Sequence, residues 1–135
     1  MAIARFKDLC IDANEPARLA RFWAATLGLR EKAKGEGEAV LLGPTRGHTV
    51  WVNCVPETST VKNRVHLDIY ATRLGGLEEL GARVVRAEGD GRRWTVMADP
   101  EGNEFCAFLR PELPPERLHG LVVDSADAAL AAGWW

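Results

Sequence analysis

A unit of one strand, one helix and three further strands occurs twice along the chain, and this repeat constrains the fold more than any other feature. The first copy opens with alternating residues at about 6–11, followed by an amphipathic helical stripe. The second copy opens with residues 64–71, "RVHLDIYA", which alternate in the same way, and a short helix follows near 73–80. The repeat predicts two βαβββ modules, at about 5–56 and 64–110.

The other elements follow from short apolar runs and turn residues. In the first helix, one face carries apolar and small side chains at helical spacing: Leu19, Phe22, Trp23, Thr26 and Leu27. Asn14 is expected to cap its start, Pro16 is tolerated in its first turn, and Gly28 can end it. Further strands are predicted at 38–42, 48–55 and 82–86, and in the segments "RWTVM" and "EFCAFL".

The two copies align without reference to any other protein. A shift of 58 residues superposes the opening strands in these pairs: Asp8 and His66, Leu9 and Leu67, Ile11 and Ile69. A shift of 53 superposes the closing strands and places Asn53 on Cys106. Unequal shifts require loops of unequal length, which a duplication allows.

The last eighteen residues, 118–135, resemble the opening of the chain. At a constant shift of 112, five pairs are identical: Leu9 and Leu121, Asp12 and Asp124, Ala17 and Ala129, Ala20 and Ala132, Trp23 and Trp135. One interpretation is a C-terminal strand and helix that pack on the domain; the other, which we favour, is the start of a second, truncated domain. In both, residues 111–117 form a proline-rich linker that follows a domain at 1–110.

Charge and composition exclude several classes of function. A net charge of −2 gives no electrostatic basis for binding nucleic acid or an anionic membrane. No apolar run reaches the length of a membrane span or a signal peptide. The three cysteines lack metal-binding C-x-x-C spacing and are expected to be reduced thiols, so a cytoplasmic location is expected.

Three segments resemble a known superfamily. The turn "VMADPEGNEFC" (96–106), the opening "DANEPARLARFWAATLGL" and the segment "KNRVHLDIY" are similar to the glyoxalase / bleomycin resistance / extradiol dioxygenase superfamily, and to its glyoxalase-like domain branch in particular. The resemblance covers about residues 5–110. It implies an α+β fold in which two βαβββ modules form a concave mixed sheet around a cleft, with the helices outside.

The resemblance also implies where a metal ion would bind. In metal-using members, inward side chains from the first and fourth strands of each module hold one divalent ion, and the matching positions here are Asp8, Asn53, His66 and Cys106. Only His66 is of the usual ligand type, and a cysteine favours zinc over magnesium or manganese. We therefore expect no cofactor, with zinc the most plausible ion if one binds.

His66 and Asp8 are the predicted catalytic pair, with His66 as a base that Asp8 orients; the alternative is a neutral histidine with a structural hydrogen bond. The predicted ligand-binding residues are Trp51, Asn53, Asp68, Tyr70, Glu104, Cys106 and Phe108. Ordinary packing is the alternative for Trp51 and Phe108. For Asp68 and Tyr70 the alternative is a position at the solvated rim of the cleft, and for Glu104 it is a solvated charge.

The expected function is binding of a small organic molecule in the cleft. Catalysis of the lyase, isomerase or dioxygenase-like kind through His66 is compatible with this. Metal-free sequestration of a drug or metabolite is the alternative, and a non-catalytic module of a tandem protein is another. Glyoxalase activity itself is not expected, because three of its four usual ligand types are missing. Neither nucleic acid nor membrane is an expected partner, and a homodimer is left open.

Overall fold

The computed structural model describes residues 3–35 and 37–135, and the chain forms two compact units, 1–58 and 59–135. The first unit contains β1 (Leu9–Ala13), α1 (Pro16–Leu27), β2 (Arg30–Ala33), β3 (Glu38–Leu42) and β4 (Val50–Cys54), with a 3-10 turn at Arg46–His48. The second contains β5 (Val65–Ala71), α2 (Leu74–Glu79), β6 (Arg83–Arg86), β7 (Thr95–Ala98), β8 (Glu104–Leu109), β9 (Leu118–Val123) and α3 (Ala128–Trp134). Both units contain the predicted strand, helix and three strands, so the α+β class and the βαβββ repeat are confirmed.

The first unit is a four-stranded mixed sheet in the order β1-β4-β3-β2, covered by α1. β1 runs parallel to β4, and the other neighbours are antiparallel. The apolar stripe of α1 is buried, as the spacing predicts, with Phe22 at 2% and Trp23 at 3% exposure. Gly28 ends the helix in the left-handed conformation, at φ 70°, as expected.

Two local predictions in the first unit are wrong. The N-cap residue of α1 is Glu15 rather than Asn14, whose amide donates to the carbonyls of Val55 and Glu57 across the unit. The first strand spans Leu9–Ala13 rather than 6–11, because its pairing partner β4 extends from Val50 to Cys54. Asp8 therefore lies immediately before the strand.

The second unit repeats this arrangement and adds one strand. Its sheet has the order β6-β7-β8-β5-β9, with β5 parallel to β8, and its core includes the fully buried Phe105, Ile69 and Met97. The α2 helix is short and buries Leu77, in agreement with the weak propensity that two glycines give it.

The tail forms both of its predicted elements, and β9 joins the sheet of the second unit. It runs antiparallel to β5, with Leu67 directly opposite Leu121. Both leucines align with Leu9 in the internal repeat, so two opening strands meet about a local twofold axis. The following helix, α3, buries no residue. Whether the tail opens a further domain stays a prediction.

None of the helices in the described part of the chain is long and apolar enough to cross a membrane.

Candidate functional site

A row of side chains crosses the sheet of the first unit. Cys10 pairs with Trp51, Trp51 with Val40, and Val40 with Lys32, one residue from each of the four strands. Directly paired residues point to the same face of a sheet, so these four side chains share a face. Trp51 therefore lies within this row, between Cys10 and Val40, and Lys32 lies on the far side of Val40.

A cavity of about 720 Å³ lies on this face. It is lined by Arg5, Phe6, Lys7, Asp8, Lys32, Lys34, Val40, Leu42, Gly47, Thr49 and Trp51. Apolar strand residues and the Trp51 ring form its walls, and four cationic side chains face a single carboxylate. We call this cavity the first-unit pocket.

Asp8 is engaged within the first unit. Its carboxylate pairs with the Lys7 ammonium, and its Oδ2 accepts a hydrogen bond of 3.0 Å from Nε1 of Trp51. The hydrogen bond from Lys7, assisted by that from Trp51, lowers the pKa of Asp8 below its usual value. Asp8 is thus a carboxylate that holds the indole ring in place. Its predicted pairing with His66 stays a prediction.

A second group of polar side chains lies on the sheet of the second unit. His66 and Asp68 are alternate residues of β5, and Asp68 pairs with Cys106 on the neighbouring β8. The potential ligand atoms of these three residues all lie within 4.8 Å of one another. Nε2 of His66 is 3.5 Å from Oδ1 of Asp68, and the two side chains are only 15% and 17% exposed.

The buried thiol of Cys106 is strongly perturbed. Its pKa is raised to about 12, mainly by burial and in smaller part by the neighbouring Asp68 carboxylate. The free thiol is therefore protonated at neutral pH, which argues against a thiolate nucleophile. Oδ1 of Asp68 is itself buried and accepts no hydrogen bond from another described residue.

The three residues form a group that could hold a metal ion. Imidazole, carboxylate and thiolate are all zinc ligands, and three protein ligands are the usual number where a fourth position stays open. The unsatisfied Asp68 oxygen fits an ion at this place. Of the four positions predicted for a metal, the structure brings together His66 and Cys106 and adds Asp68, while Asp8 and Asn53 belong to the first unit.

The strand registers correct one correspondence between the two copies. Cys10 aligns with Asp68 at the shift of 58, and their partners on the closing strands are Trp51 and Cys106. The counterpart of Cys106 is therefore Trp51, and the predicted match with Asn53 is wrong by two residues. Asn53 instead lies opposite Asp12 and Glu38, where it is half-buried.

An aromatic group includes residues of the same two strands, β5 and β8, that carry Asp68 and Cys106. Phe108 packs against Trp94 at 5.6 Å and against His119 at 5.4 Å between ring centroids. Oη of Tyr70 lies 2.8 Å from Nδ1 of His119. The sequence predicted Tyr70 and Phe108 as binding residues but missed His119, since only the pairing of β9 with β5 places it there.

Glu104 has a structural contact. Its carboxylate accepts a hydrogen bond of 3.2 Å from the backbone N–H of Asn63. This bond connects the loop before β5 to the start of β8.

The cations of the first-unit pocket were also missed from the sequence, because they lie on segments that are distant in the chain. The signal in the sequence was the pair of basic groups at 5–7 and 32–34.

Comparisons with known structures agree with this architecture. A glyoxalase/bleomycin resistance protein/dioxygenase family enzyme from Burkholderia phytofirmans PsJN is 17% identical, with a TM-score of 0.60 over 77% of this chain and 97% of its own. A glyoxalase/bleomycin resistance protein from Albidiferax ferrireducens T118 is 20% identical (TM-score 0.56; 78% and 98% covered). A glyoxalase/bleomycin resistance protein/dioxygenase from Nocardioides is 15% identical (TM-score 0.58; 84% and 89% covered).

Such low identities establish the fold and leave the chemistry open. No curated protein matches the chain. The family model of the glyoxalase-like domain, however, matches residues 8–108, which span both βαβββ repeats. The chain belongs to the glyoxalase-like domain family.

Proposed function

We propose that this glyoxalase-like protein binds a small organic molecule in the first-unit pocket. The observation that carries the proposal is the cavity of about 720 Å³ against Trp51. Its volume lies within the range of roughly 300–1,000 Å³ that is usual for ligand pockets. Apolar walls with a few polar groups are also typical of such sites.

The lining residues support this function. The Trp51 ring offers a large flat surface, and its orientation is fixed by the hydrogen bond to Asp8. Val40 and Leu42 supply aliphatic contacts beside it. A preoriented aromatic wall reduces the entropy that binding would otherwise cost.

A thermal-shift screen of metabolites and antibiotics, followed by calorimetry on each hit, tests the proposal. Trp51→Ala should weaken binding of the hits at least tenfold, since it removes the main contact surface, an effect of about 1.4 kcal/mol or more. Trp94→Ala is the matched control, because it makes the same change in the second unit. Hits that bind Trp51→Ala as well as the native protein would refute the assignment to this pocket.

The group His66, Asp68 and Cys106 supports a second candidate function, a chemical step at the second unit. Without metal, the imidazole of His66 would be the group that exchanges a proton, with the Asp68 carboxylate 3.5 Å from its Nε2. If zinc binds, these three side chains would hold it, and the ion would polarise a substrate oxygen. Replacement of His66 by alanine should abolish turnover in this case, whereas a protein that only sequesters its ligand would have no turnover to lose.

A further inference from the structure

We propose that the ligand of the first-unit pocket is a planar organic anion, such as an aromatic carboxylate or sulfonate. This inference rests on the pocket binding proposed above and specifies the chemical class of the molecule bound. It follows from the charge of the lining, from the partners of the one carboxylate present, and from the position of Trp51.

The lining is strongly cationic although the chain carries a net charge of −2. Arg5 and Lys7 precede β1, while Lys32 and Lys34 belong to β2 and the residue following it. Since β1 and β2 are the two edges of the sheet, cations approach the pocket from opposite edges. Clustered charges of one sign around a concave, partly apolar surface attract ligands of the opposite sign.

The single carboxylate does not cancel this charge. Asp8 pairs with Lys7 and accepts the indole N–H of Trp51, so its negative charge is already matched. Arg5, Lys32 and Lys34 form no ion pair with another residue in the described part of the chain. As far as the described residues show, three cations therefore remain for a ligand, and a cationic ligand would meet repulsion at both edges.

Planarity follows from Trp51. The Nζ atom of Lys34 lies 5.5 Å from the centroid of the indole ring. A flat ring that stacks on Trp51 would bring its acidic substituent within reach of this ammonium group. Val40 pairs with Trp51 on the same face and extends the apolar surface under such a ring.

Three probes with one ring system separate charge from shape: naphthalene-2-sulfonate, 2-naphthalenemethanol and 2-naphthylmethylammonium. Calorimetry at low salt should give the highest affinity for the sulfonate, lower affinity for the alcohol and the lowest for the ammonium. Added sodium chloride should weaken only the sulfonate, because exposed charges are screened by salt.

The double variant Lys32→Gln/Lys34→Gln should bind the sulfonate about tenfold more weakly, since it removes two partly exposed charge interactions. Affinity for the alcohol should stay within about twofold. The matched control, Arg18→Gln/Arg21→Gln, removes the same charge from exposed positions on α1, outside the pocket lining, and should leave both affinities unchanged.

The outcomes distinguish this inference from the proposed function. If the alcohol or the ammonium binds as tightly as the sulfonate, and Trp51→Ala abolishes that binding, the pocket binds ligands but the preference for anions is wrong. If no probe binds, or if Trp51→Ala leaves binding intact, pocket binding itself is refuted, and the inference with it.

Discussion

Trp51 occupies in the first unit the position that Cys106 occupies in the second. Each lies on the closing strand, directly opposite equivalent residues of the opening strands, Cys10 and Asp68. The same place in a duplicated fold is thus an aromatic wall in one copy and a potential metal ligand in the other. An indole does not ligate a metal ion, so this position can be a metal ligand in the second copy only.

The charge of Asp8 should make anion binding insensitive to mild acid. Because Lys7 and Trp51 lower the pKa of Asp8, the carboxylate stays ionised as the pH falls from neutral toward 3.8, the ordinary pKa of an aspartate. Its repulsion of a bound sulfonate therefore does not decrease over this range. Calorimetry with naphthalene-2-sulfonate should give nearly constant affinity from neutral to mildly acidic pH.

The substitution Asp8→Asn tests the repulsion between the Asp8 carboxylate and a bound sulfonate, because it removes the negative charge. Asparagine can still accept the indole hydrogen bond, and Lys7 is released for the ligand. Affinity for the sulfonate should rise about two- to fivefold, the size expected for one exposed charge. A fall in affinity would mean that Asp8 contributes to binding in a way other than the one its contacts indicate.

Cys106 should resist alkylation in the folded protein. It is 7% exposed and its pKa is raised to about 12, so the reactive thiolate is scarce below strongly alkaline pH. Iodoacetamide at mildly alkaline pH should modify the exposed Cys10 and Cys54 and spare Cys106. Peptide mapping by mass spectrometry measures this, and alkylation in urea, where all three should react, provides the control. Rapid labelling of Cys106 in the native state would contradict the burial.

Zinc should be preferred to magnesium at His66, Asp68 and Cys106. The thiol and imidazole are softer ligands than magnesium accepts, and zinc can displace the thiol proton. Added zinc should raise the melting temperature, and Asp68→Asn should reduce the rise, since it weakens one of three ligands. Magnesium should have no effect. A zinc shift that survives both Asp68→Asn and Cys106→Ser would place the ion elsewhere.

Much of the fold could be predicted because its signals are local. Alternation and helical stripes located most strands and helices from a few neighbouring residues each, but no pattern located β2 (Arg30–Ala33). The alignment of β4 on β8 in the internal repeat could not be predicted, since a slip of two residues keeps every side chain on the same face and leaves the pattern unchanged. For the same reason the equivalence of Trp51 to Cys106 was missed.

The cap of α1 and the pocket cations escaped prediction for a different reason. Asn14 is a favourable capping residue, but its amide donates to carbonyls about 40 positions away, which no local pattern reveals. Likewise, Arg5 and Lys32 meet around one cavity only because β1 and β2 are opposite edges of one sheet. Residues placed by long-range strand pairing are the ones that sequence reasoning missed.

Trp23 and Trp135 occupy the same position in the repeat, and their substitution should have opposite consequences. Trp23 is 3% exposed beneath the sheet of the first unit, whereas Trp135 is 83% exposed at the end of α3. Trp23→Ala should lower the free energy of unfolding by about 3–5 kcal/mol, because it leaves a large cavity. Trp135→Ala should change it by no more than about 0.5 kcal/mol, as for other surface positions.

Urea unfolding of both variants, followed by circular dichroism, measures the difference directly. The comparison is matched in residue type, substitution and repeat position, and the main difference is burial. A loss above about 2 kcal/mol for Trp135→Ala, far outside the range for surface substitutions, would mean that α3 is covered in solution. Sedimentation of the native chain at increasing concentration would then test a second copy as the cover, because only a self-associating face gives a mass that rises with concentration.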